Sequence, residues 1–98
     1  MGKIKGWTKK QDNDFRVTTK KGKRVVPSHL WEHDDNGNRL VVVRESRDSE
    51  WLLVLLVPVR AKSNELVFFQ RYDVVLYEFH RTQQAAVAAA VRLMRRNP

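Results

Sequence analysis

Basic residues interleaved with aromatic rings are the part of this sequence best suited to bind a ligand. Trp7 stands among lysines, Phe15 precedes Arg16, and Trp31 follows Arg24 in one predicted strand. Lysine and arginine neutralise phosphates, and an exposed ring stacks on an unpaired base for about 1–3 kcal/mol. The pattern predicts a nucleic-acid site built from eleven residues: Lys3, Lys5, Trp7, Lys9, Lys10, Arg16, Lys20, Lys21, Lys23, Arg24 and Trp31.

The distribution of charge favours the same kind of partner. The 98 residues carry 19 Lys+Arg against 11 Asp+Glu, which gives a formal net charge of +8. Residues 1–24 contribute +7 and residues 81–98 contribute +4, whereas residues 25–80 contribute −3. If the two basic segments lie together in the fold, their fields add into one patch that attracts an anion. The alternative interpretation is a solvated surface whose charge only maintains solubility.

The sequence contains no arrangement typical of catalysis or of a metal site. It has no phosphate-binding glycine loop, no nucleophile elbow and no dinucleotide fingerprint. The absence of cysteine excludes thiolate ligands and a cysteine nucleophile. His29 and His33 share one side of a predicted strand, but two histidines without further ligands are a weak zinc signal. We therefore expect no enzyme activity, no cofactor and no metal.

Length and hydropathy limit the class of protein. A chain of 98 residues that is 42% hydrophobic suits a single globular domain spanning residues 1–98. Its longest apolar run, residues 51–59, is well short of the roughly 20 residues that a membrane-spanning helix needs. The N-terminal residues do not form a secretory signal. We expect a cytoplasmic protein that does not associate with a membrane.

Turn signals and alternating hydrophobicity predict the elements that position the basic residues. Gly22 lies in a basic segment, residues 20–23, that is typical of a hairpin tip. Asn36-Gly37 marks a second tight turn. Pro27 removes a ladder donor, so residues 24–33 are expected to form an edge or bulged strand. The prediction is an α+β fold, with an antiparallel β-meander of five to seven strands within residues 5–80 followed by one C-terminal α-helix.

The helix is predicted over residues 82–96. Thr82 is a good N-cap, and the alanine-rich residues 85–90 have high helix propensity. An apolar stripe at helical spacing predicts the buried side. Three arginines near the end suit the helix dipole, and they extend the basic patch only if this end of the helix lies beside it. The stripe comprises Ala86, Val87, Ala90, Val91, Leu93 and Met94, and the arginines are Arg92, Arg95 and Arg96.

Residues 51–59 are apolar on both sides of a strand, so both sides should be covered. Trp51, Phe69 and Phe79 are expected to join this core. One helix covers one side of a small sheet. Either the sheet curls into a half-barrel around the helix or a second copy covers the other side. An exposed apolar patch of this size is unusual on a monomer, so we predict a homodimer.

The final strand and helix resemble the end of small DNA-binding modules. Residues 78–86 run from a strand into a Thr-capped alanine helix, similar to the close of Apetala-type integrase arm-binding domains, and Gly6-Trp7 is similar to their start. The order of elements also resembles the whirly and positive-cofactor type of single-stranded DNA-binding protein. In that type, curved antiparallel sheets precede a helix that helps to form a dimer. The resemblance implies nucleic-acid binding and a dimer.

Three functions remain open at this point. The leading hypothesis is a non-catalytic protein that binds single-stranded DNA or RNA through its basic patch and stacking tryptophans. The second is an interaction or assembly module whose charge meets an acidic protein. The third is a reader of double-stranded DNA that places its sheet in a groove.

Overall fold

The computed structural model describes residues 4–59 and 71–98. These ranges contain seven strands and one helix, which confirms the predicted α+β class with antiparallel strands and a single C-terminal helix. The elements are β1 (Trp7–Lys10), β2 (Val17–Thr18), β3 (Arg24–Val25), β4 (His29–His33), β5 (Arg39–Arg44), β6 (Trp51–Pro58), β7 (Tyr72–His80) and α1 (Gln83–Arg96).

Five of the strands form one antiparallel sheet in the order β1-β4-β5-β6-β7. Strands β2 and β3 pair separately as a short hairpin. Pro27 divides residues 24–33 into β3 and β4, so the single edge strand predicted there is wrong. Because β4 begins two residues after Pro27, it forms ladders with β1 on one side and β5 on the other.

The helix begins and ends as its sequence indicates. The backbone N–H of Ala85 donates to the Thr82 hydroxyl over 3.0 Å, which caps the first turn. Ala86, Ala90 and Met94 are fully buried at i, i+4 and i+8, and they pack against the middle of the sheet. The small alanines allow the helix to approach the sheet closely along its length.

Strands β5 and β6 are buried from both sides. On the helix side, Leu40 and Leu53 pack beneath α1. On the opposite side, Leu52 and its neighbours are covered by Phe15 and Val17 from the excursion between β1 and β4. The chain therefore covers its own second face. The expectation that a second copy is needed there is wrong, because the polar-looking residues 11–28 place these apolar side chains over the sheet.

Two expected core aromatics are less buried than predicted. Trp51 is only half-buried, with the Arg44 guanidinium 4.5 Å from its ring centroid. Phe79 is 60% exposed, and its assignment to the core is wrong. It lies in β7, which ends the five-stranded order. Phe69 lies outside the described residues.

The two-sided core predicts that truncations on the two sides of β6 are similarly costly. Leu52→Ala and Leu53→Ala should each lower the free energy of unfolding by about 2–5 kcal/mol, since each deletes a buried leucine side chain. Val75→Ala, at an exposed position, should change it by less than about 0.5 kcal/mol. Urea titrations followed by tryptophan fluorescence measure all three. A mild effect of Leu52→Ala would contradict the covered second face.

Candidate nucleic-acid interface

The first tryptophan of the predicted site is not available for stacking. Trp7 is 4% exposed, and its indole Nε1–H donates to the backbone oxygen of Asn97 over 2.7 Å. Its ring meets His33 edge-on at 5.0 Å between centroids. Gly6 makes this closure possible, because a Cβ there would lie 2.5 Å from the carbonyl carbon of Pro98. Trp7 therefore joins the start of the sheet to the end of the helix.

The second tryptophan is also buried, so its predicted stacking role is wrong as well. Trp31 is 7% exposed. Its ring lies parallel to the His29 imidazole at 5.5 Å, with the Lys9 ammonium 5.5 Å from its centroid. The sequence around Trp31 alternates with polar residues, which suggested a solvated face. In the fold, β4 is an inner strand of the sheet, and Trp31 belongs to the core cluster under α1.

The N-terminal cations do not gather on one face. Strand alternation places Lys9 on the helix side, 3.0 Å from His29 Nδ1, and Lys10 on the other side, 3.8 Å from a Glu32 carboxylate oxygen. Arg16 donates to the backbone oxygens of Asn13 and Phe15 in its own loop. Lys5 is exposed, and Lys3 lies outside the described residues. The predicted single patch is therefore divided by the sheet.

The second basic cluster does form a compact, exposed element. Residues 17–25 make the predicted hairpin. Gly22 has a φ of 84°, and its backbone N–H donates to the backbone oxygen of Thr19 over 2.8 Å. No heavy atom lies within 4 Å of the position that a Gly22 Cβ would take, so the tip projects into solvent. The cations of this basic tip are all exposed: Lys20, Lys21, Lys23 and Arg24.

Hydrogen bonds and a cation–ring contact hold the basic tip against the main sheet. The Thr19 hydroxyl donates to a Glu45 carboxylate oxygen over 2.6 Å. The backbone N–H of Lys20 donates to the Tyr77 hydroxyl over 3.2 Å, and the Lys20 ammonium lies 4.6 Å from the centre of the Tyr77 ring. These contacts hold the cations beside β7.

An exposed ring adjoins this junction. The Phe79 ring meets Tyr77 edge-on at 5.6 Å between centroids, and it is the most exposed aromatic side chain of the described residues. Sequence reasoning missed Phe79 because it counted this ring among the aromatic side chains of the core. The available signal was the alternation of residues 77 and 79, which places both rings on one side of β7 near the basic tip.

Four side chains on one face of β7, including these two rings, form a continuous surface. In the ladder with β6 they pair with every second residue on both sides of a register shift between Leu55 and Leu56, so all four lie on the side of the sheet opposite the helix. A cleft of about 250 Å³ separates Tyr72 and Val74 from residues 15–18. The strip spans roughly 20 Å at the rise of a β-strand. We call it the β7 strip; it consists of Tyr72, Val74, Tyr77 and Phe79.

A cation also lies at the Tyr72 end of the β7 strip. The Arg39 guanidinium lies 4.6 Å from the Phe15 ring centroid and 5.6 Å from that of Tyr72. Burial raises the pKa of the Tyr72 hydroxyl above its usual value of 10.0, so the phenol stays neutral at physiological pH. Arg39 also pairs with Glu32 over 3.1 Å, which reduces the positive charge available at this end.

Comparison with known protein families, with curated proteins and with solved structures finds no match for this chain. Over residues 4–59 and 71–98, no helix has the length and apolar character needed to cross a membrane. The same residues contain no group of three or more side chains arranged to hold a metal ion. His29 and His33 lie on the same side of β4, as the spacing indicates, but each has other partners. The His33 Nδ1 accepts from the backbone N–H groups of Asp35 and Asn36.

His29 connects three elements on the helix side. Its two ring nitrogens lie 3.0 Å from the Lys9 ammonium and 3.1 Å from the Gln83 side-chain nitrogen. Desolvation, and secondarily the charge of Lys9, lowers the pKa of His29 below 6.5. Between the lowered pKa and 6.5, the unfolded chain binds more protons than the folded one. Stability is therefore retained above pH 6.5 and falls as the pH drops below it.

This imidazole gives a pH prediction. Titration followed by NMR should give His29 a pKa below 6.5, and the free energy of unfolding should decrease as the pH is lowered from 7.5 to 5. Lys9→Met removes the neighbouring charge and should move the His29 pKa upward. His29→Gln should weaken the pH dependence of unfolding in urea. A His29 pKa at or above 6.5 in the folded protein would contradict the structure.

Proposed function

We propose that this protein binds single-stranded DNA or RNA without catalysis, along the basic tip and the β7 strip. The observation that carries the proposal is an exposed phenylalanine beside a tyrosine that lies under a lysine of the basic tip. Aromatic rings and cations on one surface are what single-strand binding requires, because bases stack and phosphates pair with cations. The ligand class follows the sequence prediction, whereas the stacking residues are Phe79 and Tyr77 instead of the two early tryptophans.

Single strands are favoured over a duplex by the rings. A base presents its face to an aromatic side chain only when it is unpaired or at the end of a stack, and Phe79 stands out from an edge strand where such a base has room. A duplex reader needs an element that enters a groove. The basic tip has the cations for phosphate contact. The proposal assigns sequence-independent capture to Lys20, Lys21 and Lys23 and stacking to the two rings.

A homodimer remains a separate prediction. With the second face of the sheet covered by residues 15–25, its remaining support is the apolar part of β7, where Val74 and Val75 are 49% and 57% exposed. An exposed apolar strand at a sheet edge favours pairing with another strand. The nucleic-acid proposal does not depend on this association, because the basic tip and both rings belong to one chain.

Removal of the exposed ring tests the stacking role. Phe79→Ala should weaken binding to a fluorescein-labelled dT20 oligonucleotide about 5- to 150-fold, which corresponds to the loss of one stacked base. Val75→Ala removes exposed apolar surface from the same strand and is the matched control, with an expected change below about twofold. Fluorescence anisotropy at fixed salt measures both. Equal affinities for the wild type and Phe79→Ala would contradict the proposal, as would a preference for the dT20·dA20 duplex.

Reversing charge at the basic tip tests the phosphate contacts. Lys21→Glu/Lys23→Glu should weaken dT20 binding and lower the slope of log K against log salt by about 0.7 for each phosphate that is no longer neutralised. Lys5→Glu and Arg47→Glu, each exposed and outside the proposed surface, are single-charge controls. Anisotropy titrations between 50 and 300 mM NaCl give the slopes. If Lys5→Glu lowers affinity and slope as much as the tip variant does, binding depends on net charge alone and the assigned surface is wrong.

A further inference from the structure

A second surface lies on the other side of the molecule, along the outer side of α1. An open groove of about 570 Å³ runs from Gln84 through Ala88 and Val91 to Arg95. These positions follow the i, i+4, i+7, i+11 spacing of a single helix face, so the groove extends over about three turns, or roughly 16 Å. His29, which is bound to Gln83, stands at the opposite wall. We call this surface the helix groove.

The helix groove is apolar along its floor and positive at its end. Val87, Ala88 and Val91 supply the floor, and Arg92 and Arg95 line its C-terminal half. None of the lining residues is acidic, and the whole of α1 carries no Asp or Glu. Among the residues that the structure describes, neither guanidinium has a carboxylate partner. The first turn of the helix adds the positive end of its dipole, unopposed by an acidic side chain.

This combination fits a protein partner better than a nucleic-acid backbone. Phosphates gain nothing from valine and alanine side chains, and none of the residues that line the groove is Phe, Tyr or Trp; the imidazole of His29 already lies parallel to the Trp31 ring. An amphipathic helix places apolar residues at i, i+3, i+4 and i+7, and such a side lies against a groove of about three turns whose apolar floor occupies the middle turn. Acidic residues on the same helix would reach Arg92 and Arg95. Ala88 is small enough to let a second helix approach.

Charge disfavours a second copy in the helix groove. Two copies of α1 packed antiparallel would place the arginines of each against the positive N-terminal end of the other. Two copies packed in parallel would bring all of their C-terminal arginines together. Neither arrangement offers a carboxylate from α1, because the helix has none. A partner with an acidic face meets no such repulsion.

We propose that the helix groove binds an acidic amphipathic helix of a partner protein. Apolar side chains of the partner lie on Val87, Ala88 and Val91, and its carboxylates pair with Arg92 and Arg95. This site is separate from the basic tip and the β7 strip, which lie on the opposite side of the sheet. In this proposal the protein binds two anionic partners, a single-stranded nucleic acid and an acidic helix, on opposite faces of the sheet.

The test uses a designed probe. It is a fluorescein-labelled, end-capped 16-residue peptide of Leu, Ala and Glu, with leucines at i, i+3, i+4 and i+7 spacing and glutamates elsewhere on its surface. Wild-type protein should bind it saturably in fluorescence anisotropy. Arg95→Glu should weaken binding by about tenfold or more, as loss of an arginine anchor does. Arg96→Glu is the matched control, because it reverses the adjacent charge in the same helical turn but does not line the groove. Its effect should stay below about twofold.

Two further variants separate the groove from general charge attraction. Ala88→Gln fills the floor of the groove at an exposed helix position without changing charge, and it should weaken peptide binding by about threefold or more. Lys21→Glu/Lys23→Glu removes the charge of the basic tip and should leave peptide affinity within about twofold. Circular dichroism and urea titration verify that each variant is folded.

Several outcomes would overturn the proposal. Equal binding of a scrambled peptide of the same composition would show attraction by charge without a docking face. Equal losses for Arg95→Glu and Arg96→Glu would remove the groove from the interaction. If dT20 displaces the peptide and Arg95→Glu weakens dT20 binding more than Phe79→Ala does, the groove serves nucleic acid. A dimer in sedimentation velocity that Arg95→Glu dissociates would make the occupant a second copy.

Discussion

The burial of β5 and β6 from both sides is the constraint on which the rest of the structure depends. Seven of their residues are apolar, almost completely inaccessible and divided between two faces: Leu40, Val41, Val42, Val43, Leu52, Leu53 and Val54. Hydrophobic burial is the main favourable contribution to folding, so each face requires its own cover. The helix supplies one cover and the excursion between β1 and β4 supplies the other. Each cover carries a cluster of cations on its outer side, because its inner side is committed to the core.

This arrangement explains why the positive charge is split between two surfaces. The cover on the second face ends in the basic tip, and the cover on the first face ends in the arginines of α1. A five-stranded sheet with side chains on both faces lies between them, and the N-terminal lysines alternate across its first strand. The described part of the chain therefore carries two separate positive regions of different composition, the basic tip and the C-terminal end of α1. One is next to exposed rings and the other is next to aliphatic side chains, which is why the two are assigned different partners.

Local signals in the sequence were sufficient for the helix and for most of the strands and turns. Thr82, the alanine run and the spacing of Met94 define α1, and Gly22 and Asn36-Gly37 mark turns that the structure contains. The same local signals did not reveal which individual side chains the tertiary structure buries or exposes. Trp7 and Trp31 stand in strands with polar neighbours, and only the docking of the helix makes their side of the sheet an interior. The large apolar ring of Phe79 indicates a core position, and only the placement of β7 at the end of the strand order leaves it exposed.

The expectation that a second copy must cover the sheet shows the same limit from another direction. The argument that each apolar face of the sheet needs an element packed against it is correct, since one helix does not bury two faces. The expectation failed because residues 11–28 look like turns and polar strands, although Phe15, Val17 and Val25 among them pack against this face. A few such side chains are enough when the surface beneath them is small. A segment's capacity to cover a sheet depends on where its few apolar residues fall, which periodicity alone does not reveal.

The hydrogen bond between Trp7 and Asn97 joins residues 90 positions apart. Contacts at such separation slow folding, since a long loop must close before the contact stabilises anything. During translation, α1 leaves the ribosome after β1 to β7. The apolar sheet face that it covers stays open to other hydrophobic surfaces throughout that interval, so the core of a nascent chain of this fold is completed only when α1 docks.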